Sequence, residues 1–214
     1  MEIIVFIALV VSTIATLRGS LSRTTRQTIQ FLALQAAAIG SVELMYCLIN
    51  LVLGLHVEAL VKFFAVFAEW FSCAVVTPLI IYWGMVRTED VADQPMMGRT
   101  KVVIFYSALI ASHAILGVML RSVFPPQLEA LFFVSIMFFF SIFLMATRMD
   151  PLKILVGLNM AENALYPLLA KSPLNVIPFM LILMIFVNVV GVFVITEAYR
   201  DYGTLKVSDW RWRD

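Results

Sequence analysis

The sequence predicts an all-α integral membrane protein of seven transmembrane helices, with its N-terminus outside and its C-terminus cytoplasmic. Three observations carry that prediction. Hydrophobic residues make up 62% of the 214, only 14% are charged, and mean hydropathy is +0.97, whereas soluble globular domains are about half apolar. The apolar residues fall into long runs with little chain between them, and the basic residues gather in alternate connections.

A helix needs about 20 mostly apolar residues to cross a hydrocarbon core of roughly 30 Å. The first such run extends from Ile3 to Leu17; it is preceded by Glu2 rather than a basic segment and followed by no small-residue cleavage site, so it is expected to be a span and not a signal peptide. The others extend from Ile29 to Leu53, Ala59 to Val86, Val102 to Leu120, Leu128 to Thr147, Leu152 to Ala170, and Ile177 to Ala198. Residues 1–127 form a four-helix membrane region, 128–198 a three-helix region, and 199–214 a cytoplasmic tail. Twelve basic residues lie on one side: Arg18, Arg23, Arg26, Arg87, Arg99, Lys101, Arg148, Lys153, Arg200, Lys206, Arg211 and Arg213. The other side has Arg121 and Lys171, so the positive-inside rule puts the C-terminus in the cytoplasm of a multi-pass protein of the cytoplasmic (inner) membrane. Trp210 and Trp212 in the tail suit an interfacial anchor or a docking strip for a soluble partner.

A net charge of +1 offers no broad basic surface for nucleic acid. Cys47 and Cys73 lie inside apolar runs without metal-ligand spacing. Among the connections, even the longest, Arg87 to Lys101 with Pro95 and Gly98, is too short for an independent domain. No phosphate loop, nucleophile elbow or metal cluster is present in the pattern, so no catalytic residue and no cofactor are expected in this chain. His56 and His113 fall at mismatched depths and do not suit a haem.

Ionisable groups within a span are costly and usually face the bundle interior or a hydrated cavity. The chain places Glu43 in the second span, Lys62 and Glu69 in the third, His113 in the fourth and Glu162 in the sixth. With a hairpin turn near His56, Glu43 and Glu69 each lie thirteen residues away and are expected at one depth. Two carboxylates so placed require a proton or a cation. Lys62 is the candidate cation, either paired with Glu58 one turn away or reaching Glu69 through water. Ala36, Gly40, Glu43, Cys47 and Asn50 form a small and polar stripe that permits close helix approach, answered by Lys62, Ala65, Glu69, Ser72 and Cys73. In the sixth span Asn159, Glu162, Asn163 and Tyr166 recur at i, i+3, i+4 and i+7 on one face. An acid flanked by two amides can be hydrogen-bonded in either protonation state, as a relay requires. His113 is isolated and suits packing, and Asn188 in the seventh span suits an interhelical hydrogen bond.

The run Leu155-Val156-Gly157-Leu158-Asn159-Met160-Ala161-Glu162-Asn163-Ala164 resembles the signature of the small chain K subunit of complex I-type NADH:quinone oxidoreductases, as does the Gly203-Thr204-Leu205-Lys206-Val207 strip after the last span. This likeness covers roughly residues 128 to 208. Over its whole length the chain is similar to component E of hydrogenase-4 and of related membrane-bound hydrogenase and formate hydrogenlyase complexes. Two departures stand out. Where the chain K pattern has its middle-helix glutamate this sequence has Asn159, with Glu162 one turn later; where that pattern has its last-helix glutamate, this sequence has Val187 beside Asn188.

The resemblance implies a non-catalytic subunit of a redox complex, surrounded by antiporter-like and hydrogenase-proximal membrane subunits and by cytoplasmic nickel-iron and iron-sulfur subunits. Glu162, Glu43, Glu69 and Lys62 are the expected proton (or sodium) relay, supported by Asn159, Asn163, Tyr166, His113 and Asn188. The alternatives are a purely structural membrane scaffold in such a complex, or a standalone small transporter. A retinal photoreceptor is disfavoured because the seventh span has no lysine.

Overall fold

The computed structural model describes residues 2–90, 92, 96–120, 128–169 and 177–210. Pro95, Arg121, Lys171, Arg211, Trp212 and Arg213 lie outside the described residues. Helix α1 (Glu2–Leu21) passes through a short connection to α2 (Thr25–Val52), whose first turn is capped by Thr24 accepting a hydrogen bond from the Gln27 amide at 3.3 Å. Helix α2 ends at Val52 with Leu53 as its C-cap, followed by Gly54 at φ 74°. A residue in that left-handed conformation is the usual helix terminator, and only glycine adopts it without strain.

The next span is one long helix, His56–Arg87, with three parts: α3 (His56–Ala68), a π-helical segment (Glu69–Val76), and α4 (Thr77–Arg87). The wide turns give way to α-helix at Pro78, a residue without the backbone donor that an uninterrupted helix would use there. Then follow α5 (Arg99–Leu120), α6 (Leu128–Thr147), α7 (Pro151–Leu169) and α8 (Ile177–Tyr202), and a 3₁₀ turn at Val207–Asp209. No strand occurs among the described residues.

Five helical stretches are long and apolar enough to cross a membrane: Ile3–Leu21, Thr25–Val52, His56–Arg87, Thr100–Met119 and Ile182–Tyr202. Helix α6 adds a shorter apolar run, Leu131–Thr147, and α7 contains the polar stripe. The predicted runs thus coincide with helices to within a few residues. The hairpin turn differs: it lies at Leu53–Leu55, not His56, because Gly54 stops α2 and α3 already begins at His56.

One apolar cluster joins α2, α4, α6, α7, α8 and the tail through Leu32, Ile81, Leu144, Leu152, Val156, Met160, Val192 and Leu205. It runs across the expected boundary at residue 128, so the two membrane regions share a core. The tail folds back on the bundle. Leu205 is buried, the Val207 amide donates to the Met149 carbonyl at 3.3 Å, and Trp210 stacks on Tyr202 and donates to the Thr204 carbonyl at 2.8 Å.

Helices α6 and α7 approach closely at Gly157, where a β-carbon would lie 2.7 Å from Met145 Cγ and 3.2 Å from the Ser141 carbonyl oxygen. At Gly191 on α8 a β-carbon would meet only Leu155, at 3.4 Å. Thermal unfolding of purified protein should therefore separate the two alanine variants: Gly157→Ala should lose about 1–3 kcal/mol through overpacking, while Gly191→Ala should melt close to the parent.

Candidate functional site

The stripe on α2 faces α3 and the π segment as its spacing predicts. Lys62 Nζ donates to Glu43 Oε2 at 2.8 Å, with Glu43 3% and Lys62 20% exposed. The ammonium also lies 5.7 Å from the centroid of the Tyr46 ring. One turn nearer the hairpin turn, Cys47 Sγ contacts the Ala59 carbonyl at 3.2 Å. Farther from the turn, the missing β-carbon of Gly40 makes room for Trp70, whose indole N–H donates to the Ala37 carbonyl at 3.1 Å. Lys62 is thus the partner of Glu43, not of Glu58 or Glu69, because the turn at Gly54 sets a different register from one centred on His56.

That register also staggers the two acids. Glu69 lies opposite Gly40, where an added β-carbon would come within 3.3 Å of Glu69 Cγ. Gly40 is three residues from Glu43, about 4.5 Å along the helix. Glu69 opens the π segment with no exposed surface, and its neighbours Ser72 and Cys73 are buried with it. The Cys73 thiol interacts with its carboxyl group, and Glu43 is near enough for their charges to interact. Beyond that thiol, neither carboxyl oxygen has a hydrogen-bond partner among the described residues.

Helix α7 closes the site from the other side. The Tyr166 hydroxyl donates to the Ala65 carbonyl at 2.8 Å, and at the opposite end Leu152 reaches Gly84. These contacts fix an antiparallel register. Asn163 lies three residues before Tyr166 on α7. Asn163 is buried, and neither its amide nitrogen nor its oxygen has a partner among the described residues. Glu162 is half-buried beside it and interacts electrostatically with Cys73. An unmet buried polar group costs about 1–3 kcal/mol, so Glu69 and Asn163 are a concentrated expense in an otherwise apolar bundle.

Asn159 does not hold Glu162. Its amide and that of Asn188 on α8 donate to each other at 2.7 and 2.8 Å, and each also donates to the carbonyl four residues back in its own helix, Leu155 and Met184. This pair joins α7 to α8. His113 is far from the cluster in packing terms: its ring nitrogen meets the Leu109 carbonyl at 2.9 Å and its ring contacts the edges of Phe132 and Phe139. The Tyr166 to Ala65 hydrogen bond thus joins the end of the α7 stripe to the α2–α3 hairpin.

A second buried polar cluster was hidden among residues counted only as connection charges. Asp150 caps α7 by accepting the Leu152 amide at 2.9 Å and also accepts the Thr25 hydroxyl. Arg148 donates to the carbonyls of Ser20 and Ser22 at 2.8 and 2.9 Å, and Lys153 donates to the Arg23 carbonyl. All three are buried and tie the α1–α2 connection to the start of α7. Asp150-Pro151 was the available signal, since Asp is a preferred N-cap and Pro a preferred first helical residue. Gln35, also buried, bridges α2 to Thr16 and to the Met160 carbonyl. Among the described residues, no group of three His, Cys, Asp or Glu side chains could hold a metal ion.

Removing Glu43 alone leaves an uncompensated ammonium against the bundle, so Glu43→Leu should destabilise by about 2–3 kcal/mol. The double variant Glu43→Leu with Lys62→Met should recover most of that loss in the same thermal assay; failure to recover would deny the pair its electrostatic role. No known protein family, curated protein or solved structure matches the chain.

Proposed function

We propose that this chain is a non-catalytic subunit in the membrane arm of a complex I-related hydrogenase or formate hydrogenlyase. It would thread the cytoplasmic membrane seven times with its N-terminus outside. In this reading redox chemistry belongs to nickel-iron and iron-sulfur partner subunits, and this chain contributes a relay for protons or sodium within the membrane. The observation that carries the proposal is the Glu43–Lys62 ion pair on the same hairpin as the fully buried Glu69, with Tyr166 of α7 bonded to that hairpin and Glu162 and Asn163 on the same helix as Tyr166.

The groups differ in how they are held, and that sorts their roles. Glu43 and Lys62 neutralise each other and set the field around Glu69. Among the described residues Glu69 has no ion-pair partner, so a proton could be exchanged there without breaking an ion pair. Glu162, half-buried one turn from the Asn159 position where the chain K pattern has its middle-helix acid, offers the exit toward a neighbouring membrane subunit. The reciprocal Asn159–Asn188 amides favour a second, structural role for the α7–α8 contact, since fully satisfied amides have nothing left to offer a moving ion.

The two readings separate in the intact complex. Glu69→Gln and Glu162→Gln should each lower redox-driven ion uptake by membrane vesicles at least about tenfold, while hydrogenase turnover with an artificial electron carrier and complex assembly stay near the parent. Unchanged ion uptake in both variants would remove the relay and leave the scaffold.

A further inference from the structure

Residues 203–210, which follow α8, are held by two kinds of contact, and the difference between them decides what Trp210 does. The first kind closes the segment on itself. Gly203, at φ 70°, stops α8 and donates its amide to the Tyr199 carbonyl at 2.8 Å. The Lys206 amide donates to the Thr204 hydroxyl oxygen at 3.1 Å, the Asp209 amide to the Lys206 carbonyl at 2.9 Å and the Trp210 amide to the Val207 carbonyl at 3.2 Å. The indole completes the loop: its N–H donates to the Thr204 carbonyl at 2.8 Å, and its ring stacks on Tyr202 with centroids 5.7 Å apart and planes 12° from parallel. The second kind ties the loop to the bundle. Leu205 is fully buried in the cluster that holds Leu152 and Val156 of α7, Ile81 of α4 and Val192 of α8, and the Val207 amide donates at 3.3 Å to the carbonyl of Met149, just before α7.

We propose that residues 203–210 are a latch that clamps the end of α8 to the start of α7, and that Trp210 is its buckle. Ordering a chain end costs backbone entropy at every residue, and one leucine with one hydrogen bond to the bundle offsets little of that unless the segment is already closed. The indole contacts supply the closure, so Leu205 and the Val207 amide are presented to the bundle together. Within the bundle α7 and α8 meet through the Asn159–Asn188 amides and through Leu155 at Gly191. The latch adds a tie where α7 begins and α8 stops, beside the Asp150 cap that Thr25 also engages. While the latch is closed, the Trp210 donor and one face of its ring are occupied within the chain. An anchor in the bilayer or a docking strip for a soluble partner could use this tryptophan only by opening the latch. The inference is independent of the proposed function.

Amide hydrogen exchange of the full chain in lipid nanodiscs, read by mass spectrometry on peptides covering 203–210, tests the latch, because protection reports how often a segment opens. In the parent these amides should exchange about tenfold or more slowly than in a free peptide of the same sequence. Trp210→Ala should remove that protection, and Trp210→Phe, which keeps a stacking ring but has no indole N–H, should remove part of it. The last two turns of α8, residues 196–202, should exchange about threefold faster in Trp210→Ala, while peptides from α2 and α6 keep their parent rates and show the bundle folded. Exchange of 203–210 at the free-peptide rate in the parent would overturn the latch. Parent-like protection of that segment in Trp210→Ala would overturn the buckle, and unchanged rates in 196–202 would overturn the clamp. Should Trp210→Ala fail to fold, the parent still decides the latch, and Trp210→Phe decides the buckle by the same comparison.

Discussion

A carboxyl group with no exposed surface, set between two helices and a third, is the constraint around which this bundle is arranged. Glu69 can remain there as an ion only if hydration or a cation compensates the loss of bulk water, and can remain neutral only if something takes its proton. Lys62, a cation on the same hairpin, is engaged by Glu43 at 2.8 Å. Around Glu69 stand a glycine on α2 that lets the π segment approach and a thiol one turn on.

Glu69, Ser72 and Cys73, at i, i+3 and i+4, all turn inward on the π segment. Tyr166 captures the Ala65 carbonyl just upstream and holds α7 against the hairpin. Polar atoms elsewhere in the bundle are treated differently. Asn159 with Asn188 and Asp150 with Thr25 are satisfied contacts that fix helix positions, and Gln35 gives its amide to Thr16 and the Met160 carbonyl while its own oxygen has no partner among the described residues.

The helices were legible because each span must be apolar over a fixed length, and the α2 stripe was legible because Ala36, Gly40, Glu43 and Cys47 repeat at helical steps. The partner of Lys62 was not, since one glycine, Gly54, shifts the turn and with it every cross-helix pair. The union of the hairpin acids with the α7 stripe was not legible either: it depends on a register between helices about a hundred residues apart, fixed by a hydroxyl on a backbone carbonyl. Arg148 and Lys153 were counted with the loop charges because composition cannot distinguish a solvated basic residue from one whose donors are taken up by the carbonyls of another connection. Asn188, expected to join helices, does so.

The central claim is that Glu69 and Asn163 are wetted and not sealed dry. A cryo-electron microscopy map of the protein, at a resolution that shows ordered solvent, addresses it most directly. The account predicts discrete density within hydrogen-bonding distance of the Glu69 carboxyl group and of the Asn163 amide. Side chains enclosed by hydrocarbon on every side, with no solvent density between them, would contradict it.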